Sequence, residues 1–262
     1  MTRHIIFHHH LFKNAGTSID QILKQNFADR WVSAEFESDG AANTAEVAAW
    51  IKGNPDAAAF STHTLKGPLP LLDGVHIIPV VMLRDPVDRI GSAYRFERIQ
   101  NAETFGTGLA RQNGFAGYVH ARLAVRGDRQ CRNFQTQRLA ALCTQAQREE
   151  VERARQTCDQ IIHQGVLGIV PEFTQAMERL SQLAKPHYPN FRWQPVTANA
   201  SSESSSSVIS PDMRQMLEEI NAEDIVLYKY ARKLKNRPTS RAVVAHDSEL
   251  APSQRLQYRG AV

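Results

Sequence analysis

The sequence predicts an α/β fold, a parallel sheet flanked by helices with a helix-rich C-terminal half. Three observations carry that prediction. A β-rich run from Arg3 to His10 passes through a short turn into a helical repeat of Ile19, Ile22, Leu23 and Phe27. Further short apolar runs, Ala57 to Ser61, Val75 to Leu83 and Val166 to Val170, recur between helical stretches, and strands alternating with helices imply a parallel sheet covered on both faces. From Asp88 the pattern is helical for most of the next hundred residues.

Each element has a local cause. After the first helix comes an Ala-rich stretch with Gly40 and the Asn54-Pro55 breaker, read as a variable connection. Within VHIIPVVML, Pro79 removes a ladder donor, so the regular core strand is expected only over Val80 to Leu83. Helices are expected near 87–99, 108–124, 132–142 and 147–163, and another near Pro171, since proline suits a first helical turn. Ser201 to Ser207 reads as a loop, and Pro211 opens a final helical pair through Leu234. Residues 1–235 are expected to form one domain. Beyond them, 236–262 is polar, Pro-containing and aperiodic, the pattern of a loosely held tail.

The chain has 262 residues, 42% of them apolar, enough to bury a sizeable core. Its 31 Lys plus Arg against 27 Asp plus Glu give a formal charge of +4, too mild for a dedicated nucleic-acid binder and suited to a small anionic ligand. Cys131, Cys143 and Cys158 lie far apart, which argues against a disulfide framework or zinc site. Reduced thiols place the protein in the cytoplasm, and no apolar run approaches the roughly 18 residues of a membrane span. Strand alternation sends His9 to the opposite face from His8 and His10, against a single three-histidine metal site.

Two segments carry the chemistry. Lys13-Asn14-Ala15-Gly16-Thr17-Ser18 lies between strand and helix, where exposed N–H groups and the helix dipole attract anions. Gly16 permits close approach, Lys13 adds a charge, and Thr17 and Ser18 add hydroxyls. The lysine precedes the glycine by three residues, unlike the G-x-x-x-x-G-K-[ST] order that grips a nucleoside triphosphate. The second segment, VVMLRDPVDRIGSAYRF, sets Arg84 and Asp85 after an apolar strand, Pro86 at a helix start and Ser92 about two turns on. Ligands of open α/β sheets bind at such carboxyl ends.

Together these segments resemble the PAPS-dependent sulfotransferases, PAPS being 3′-phosphoadenosine 5′-phosphosulfate, and in particular the carbohydrate branch with the heparan sulfate 2-O-enzyme. There HxPKTAGTS forms the 5′-phosphosulfate loop and RDPxxRxxSxY the 3′-phosphate site. Here the first reads His10 to Ser18 with Phe12 for the proline and Asn14 for the threonine, and Arg84 to Tyr94 matches the second closely. RNFQTQRL, from Arg132 to Leu139, is similar to the family's N-x-x-T-R-x-L segment near the nucleotide. VLGIVPEF and DIVLYKYA echo its last strand and closing helix.

The resemblance implies a P-loop-NTPase-like fold and sulfuryl transfer from PAPS to a hydroxyl, with a carbohydrate or glycoconjugate as the acceptor. It implies binding of PAPS by residues 13–18, Arg84, Ser92, Asn133 and Arg138, and charge stabilisation by Lys13. No metal is required in that scheme, since sulfate carries less charge than a phosphate monoester. His63, after the Ala57–Ser61 strand, resembles the family's base, and a neutral imidazole suits the task. His8 and His10 are rival bases. The alternatives are a nucleotide-dependent kinase of related fold, which would need a magnesium carboxylate and the other lysine order, and a catalytically impaired PAP-binding protein.

Overall fold

The computed structural model describes residues 2–37, 42–145, 147–194 and 209–235. Its centre is a five-stranded, all-parallel sheet in the order β2-β3-β1-β4-β5. The strands are β1 (Arg3–His9), β2 (Trp31–Ser33), β3 (Ala59–Thr62), β4 (Val75–Leu83) and β5 (Val166–Ile169). Strand β1 lies between β3 and β4, with His9 opposite Thr62 and His8 opposite Val80. The carboxyl ends of three neighbouring strands therefore meet, and each is followed by one of the segments singled out above.

Alternation along the strands sorts the core into two layers. Ile6, Val80 and Met82 face α1 (Gly16–Phe27) and α8 (Phe173–Ala184), packing against Ile19, Ile22, Leu23 and Leu180. Ile5, Phe7, Val81 and Leu83 face the other way, against α2 (Thr44–Gly53), α7 (Glu150–Gln164) and α10 (Ala222–Lys235). A third cluster joins α3 (Pro86–Ile99), α4 (Phe105–Gln112), α5 (Phe115–Ala124) and α9 (Pro211–Ile220) around Tyr94 and Tyr118. Helix α6 (Phe134–Ala140) bridges the site and α7.

The structure corrects the sequence reading in four places. The stretch read as a variable connection contains both β2 and α2. Strand β4 is regular from Val75 onward, Pro79 included. An added Cβ at Gly165 would meet the Pro79 carbonyl oxygen and ring, so the proline's donor-less side faces the chain just before β5, whose pairing starts only at Val80. The helix expected over 108–124 is two helices, broken at Asn113-Gly114. The helix near Pro171 starts with a 3-10 turn, Val170–Glu172, before α8.

All three cysteines are free, and burial pushes the Cys131 thiol up to about 12. No helix among the described residues is long and apolar enough to cross a membrane. The serine-rich loop and the tail beyond residue 235 lie outside the described residues.

Candidate functional site

The loop after β1 is held in an unusual backbone conformation. Lys13 (φ 64°) and Ala15 (φ 62°) both occupy the left-handed region without being glycine, at roughly 1–2 kcal/mol each. The buried Asn14 side chain between them compensates, donating to the Met82 carbonyl and to Gln135 Oε1, both at 2.8 Å. The loop is thus tied to the end of β4 and to α6. Ala15 gives α1 no side-chain cap, and the first turn of the helix has no acidic residue. The Ser18 N–H already bonds the Ala15 carbonyl at 3.1 Å, so the donors left for an anion are those of Gly16 and Thr17.

Three cations gather at this loop. Burial lowers the Lys13 ammonium from its ordinary value, and the charges of Arg84 and Arg95 push the same way. Burial also lowers Arg84, with Arg95 adding to the effect against the pull of Asp88 and Asp85. Like charges brought together in a partly buried place call for an anion. The Lys13 Nζ rests 4.1 Å from the centre of the Phe96 ring, and Phe12 packs edge-on against that ring. The Arg84 main chain is fixed by Gln135, which accepts from its N–H at 2.9 Å and donates to its carbonyl at 2.8 Å. Asp85 caps α3, accepting from the N–H groups of Val87 and Asp88, while Pro86 fills the first helical position. Ser92 lies less than two turns into the same helix, half-buried.

A chain of imidazoles borders the loop. His8 and His10 place their Nδ1 atoms 2.7 and 2.8 Å from the two oxygens of Asp20. These three residues form a group of potential metal ligands within 4.8 Å of one another. A Cβ at Gly16 would sit 2.0 Å from the His10 ring, so only glycine lets that ring lie against the start of α1. His10 also packs against His63, with ring centres 3.9 Å apart and planes tilted by 30°. His63 Nδ1 meets Glu35 Oε1 at 2.6 Å, and the same carboxylate accepts from the His63 backbone N–H. A carboxylate only accepts, so Nδ1 carries a proton, and in the neutral ring the lone pair is on Nε2. The His63 carbonyl in turn accepts from Arg138, whose guanidinium burial lowers from its ordinary value.

The family model described as Sulfotransferase family matches residues 2–231. The chain belongs to this sulfotransferase family. It is also similar to a protein of Archaeoglobus fulgidus described only as uncharacterized, 35% identical over 247 residues, covering 87% of this chain and 96% of that protein. The parallel sheet flanked by helices is the P-loop-like architecture expected of such an enzyme, and PAPS is the sulfuryl donor the family implies.

In this sulfotransferase the predicted loop residues and Arg84 do come together, but Asn133 and Arg138 sit at opposite ends of α6. Asn133 is turned to the C-terminal helices, its Oδ1 accepting from the Asp224 N–H at 3.2 Å. The residue that touches both the loop and Arg84 is Gln135, two positions on. Glu35, Asp20 and Arg95 were also missed. Of these, only Arg95 had a sequence signal, three residues after Ser92 on one helix face. The departures at Phe12 and Asn14 are accommodated by packing and hydrogen bonding.

Asp20 gives a pH test of this network. Burial opposes its charge, but hydrogen bonds from His10 and His8, then the His8 charge, outweigh it and hold the carboxyl far below the usual range. A depressed folded value stabilises the protein above the unfolded carboxylate range, about pH 4, and that stability is lost as pH falls toward the folded value. Asp20→Asn is therefore expected to lower stability in urea unfolding at neutral pH. The gap to the wild type should narrow between about pH 5 and about pH 3. A gap that stays constant across that range would show that the carboxylate charge is not what holds the pair.

Proposed function

We propose that the sulfotransferase moves a sulfuryl group from PAPS to a hydroxyl of a carbohydrate or glycoconjugate, with His63 as general base. The observation that carries this reading is the contact series Glu35–His63–His10–Gly16, which sets an oriented imidazole beside the uncapped start of α1 and its cations. His63 takes the hydroxyl proton on Nε2, because Nδ1 is committed to Glu35. PAPS, when bound, supplies the activated sulfuryl group and the leaving 5′-phosphate. Lys13 offsets the charge developing on that phosphate, and the N–H groups of Gly16 and Thr17 hold it. Arg84, with Ser92 and Arg95, takes the 3′-phosphate. Arg138 positions His63 through its carbonyl.

The carbohydrate class is supported by the likeness of both motifs to the carbohydrate branch. It is also supported by the exposure of the His63 side chain, 47%, which leaves room for a bulky acceptor. Free thiols favour a reducing compartment, the cytoplasm.

The two-anion reading predicts that PAP raises the melting temperature with dose, because a ligand of the native state stabilises it by mass action. ATP with magnesium should do less. A larger shift with ATP and magnesium would favour a kinase.

A further inference from the structure

The connection from β3 to β4 crosses over β1 without a helix. It leaves part of the sheet face opposite Asp20 uncovered, and there a groove of about 560 Å³ runs along the strands, within the range of small-molecule sites. Its floor is made of alternate residues, Phe7 and His9 of β1 with Val75, Ile77, Pro79 and Val81 of β4. One turn-spaced face of α7, Thr157, Ile161 and Gln164, forms the opposite wall, and Leu65, Leu69 and Leu72 form the side. From Val75 to Val81 the floor spans about 20 Å. The groove is closed at the His9 end, where His9 and Val81 are buried, and open where His76, Gln160 and Gln164 are exposed.

His9 is the feature that asks for a ligand. It lines the groove at 2% exposure, and neither ring nitrogen has a hydrogen-bond partner. The other buried polar side chain in the lining, Thr157, is satisfied by the Leu139 carbonyl at 2.9 Å. No carboxylate partners the ring, and a buried imidazole without a counter-charge stays neutral. It then offers one N–H and one lone pair.

We infer that this groove binds a medium- to long-chain alcohol, its hydroxyl hydrogen-bonded to His9 and its hydrocarbon body lying along β4. A hydroxyl both donates and accepts, so it satisfies His9 in either tautomer. A carboxylate would have to give up its water for a single neutral donor. The alcohol binds on the sheet face opposite the His8–His10–Asp20 group, with its hydroxyl end within electrostatic reach of Arg138 and His63.

Titration of the ¹⁵N-labelled full chain with 1-hexanol, 1-octanol and 1-chlorohexane, followed by NMR, tests this. Saturable shifts are expected at Thr157, Ile161 and His9, with affinity rising about fourfold per added methylene. 1-Hexanol should bind more tightly than 1-chlorohexane, and His9→Phe should abolish that preference. Leu69→Trp, on the connecting segment, should block both ligands and does not depend on His9→Phe folding. The inference is overturned by an absence of saturable shifts at the groove, as water alone would give, by equal affinities for alcohol and chloride, by tighter binding of octanoate than of octanol, or by unchanged binding in Leu69→Trp.

Discussion

His63→Ala is expected to lower kcat roughly a hundredfold or more while leaving PAP affinity nearly unchanged, the range and pattern typical of a lost general base. The two effects separate because His63 packs against the His10 ring, whereas the cations proposed to hold the nucleotide, Lys13, Arg84 and Arg95, act on one another. Glu35→Gln should lower kcat less and alter its pH profile, since a glutamine can still orient Nδ1 but no longer stabilises the imidazolium. Steady-state kinetics with calorimetric PAP binding measures both. Near-normal turnover of His63→Ala would move the base to His10 or His8. Both of those are buried, with Nδ1 held by Asp20.

Arg84→Ala should weaken PAP binding about ten- to a hundredfold, the range of a charge-assisted contact to a partly buried phosphate. AMP, which lacks the 3′-phosphate, should lose much less. The substitution is clean in one respect: Gln135 holds the main chain of residue 84, not its side chain, so the β4 end keeps its anchors. Arg84→Lys should recover only part of the affinity, because an ammonium keeps the charge without the planar fork. Equal losses for PAP and AMP in calorimetry would mean that Arg84 serves the fold or the 5′ end.

Local patterns made the strand-loop-helix unit around Lys13 and the Arg84 segment legible, because each is specified within some fifteen residues by periodicity, a proline and a capping aspartate. Strand β2 escaped because three residues, Trp31–Ser33, are too few to show alternation. Helix α2 escaped because its alanines blur the apolar face, leaving only Val47 and Ile51 buried. The continuity of β4 through Pro79 is not legible in the sequence, since no pattern along one strand tells which side lacks a neighbour. The pairings Glu35–His63, Asn14–Gln135 and Gln135–Asp224 join residues 28, 121 and 89 positions apart, and nothing in a local window announces them. In the segment from Asn133 to Arg138 the sequence does not distinguish the residue facing the loop, Gln135, from Asn133, which faces Asp224, or Arg138, which meets the His63 carbonyl.

The Gln135 junction also bears on the order in which the molecule can be completed. Asp224 accepts from the backbone N–H groups of Gln135 and Thr136 at 3.2 and 2.7 Å, fixing the start of α6. Gln135 in turn steadies Asn14 and, through it, the strained loop. The last support of a loop made near residue 14 therefore arrives with residue 224. During synthesis from the N-terminus, a nascent chain carries the loop long before it can hold its shape. The loop's final shape must wait until α10 has emerged and docked.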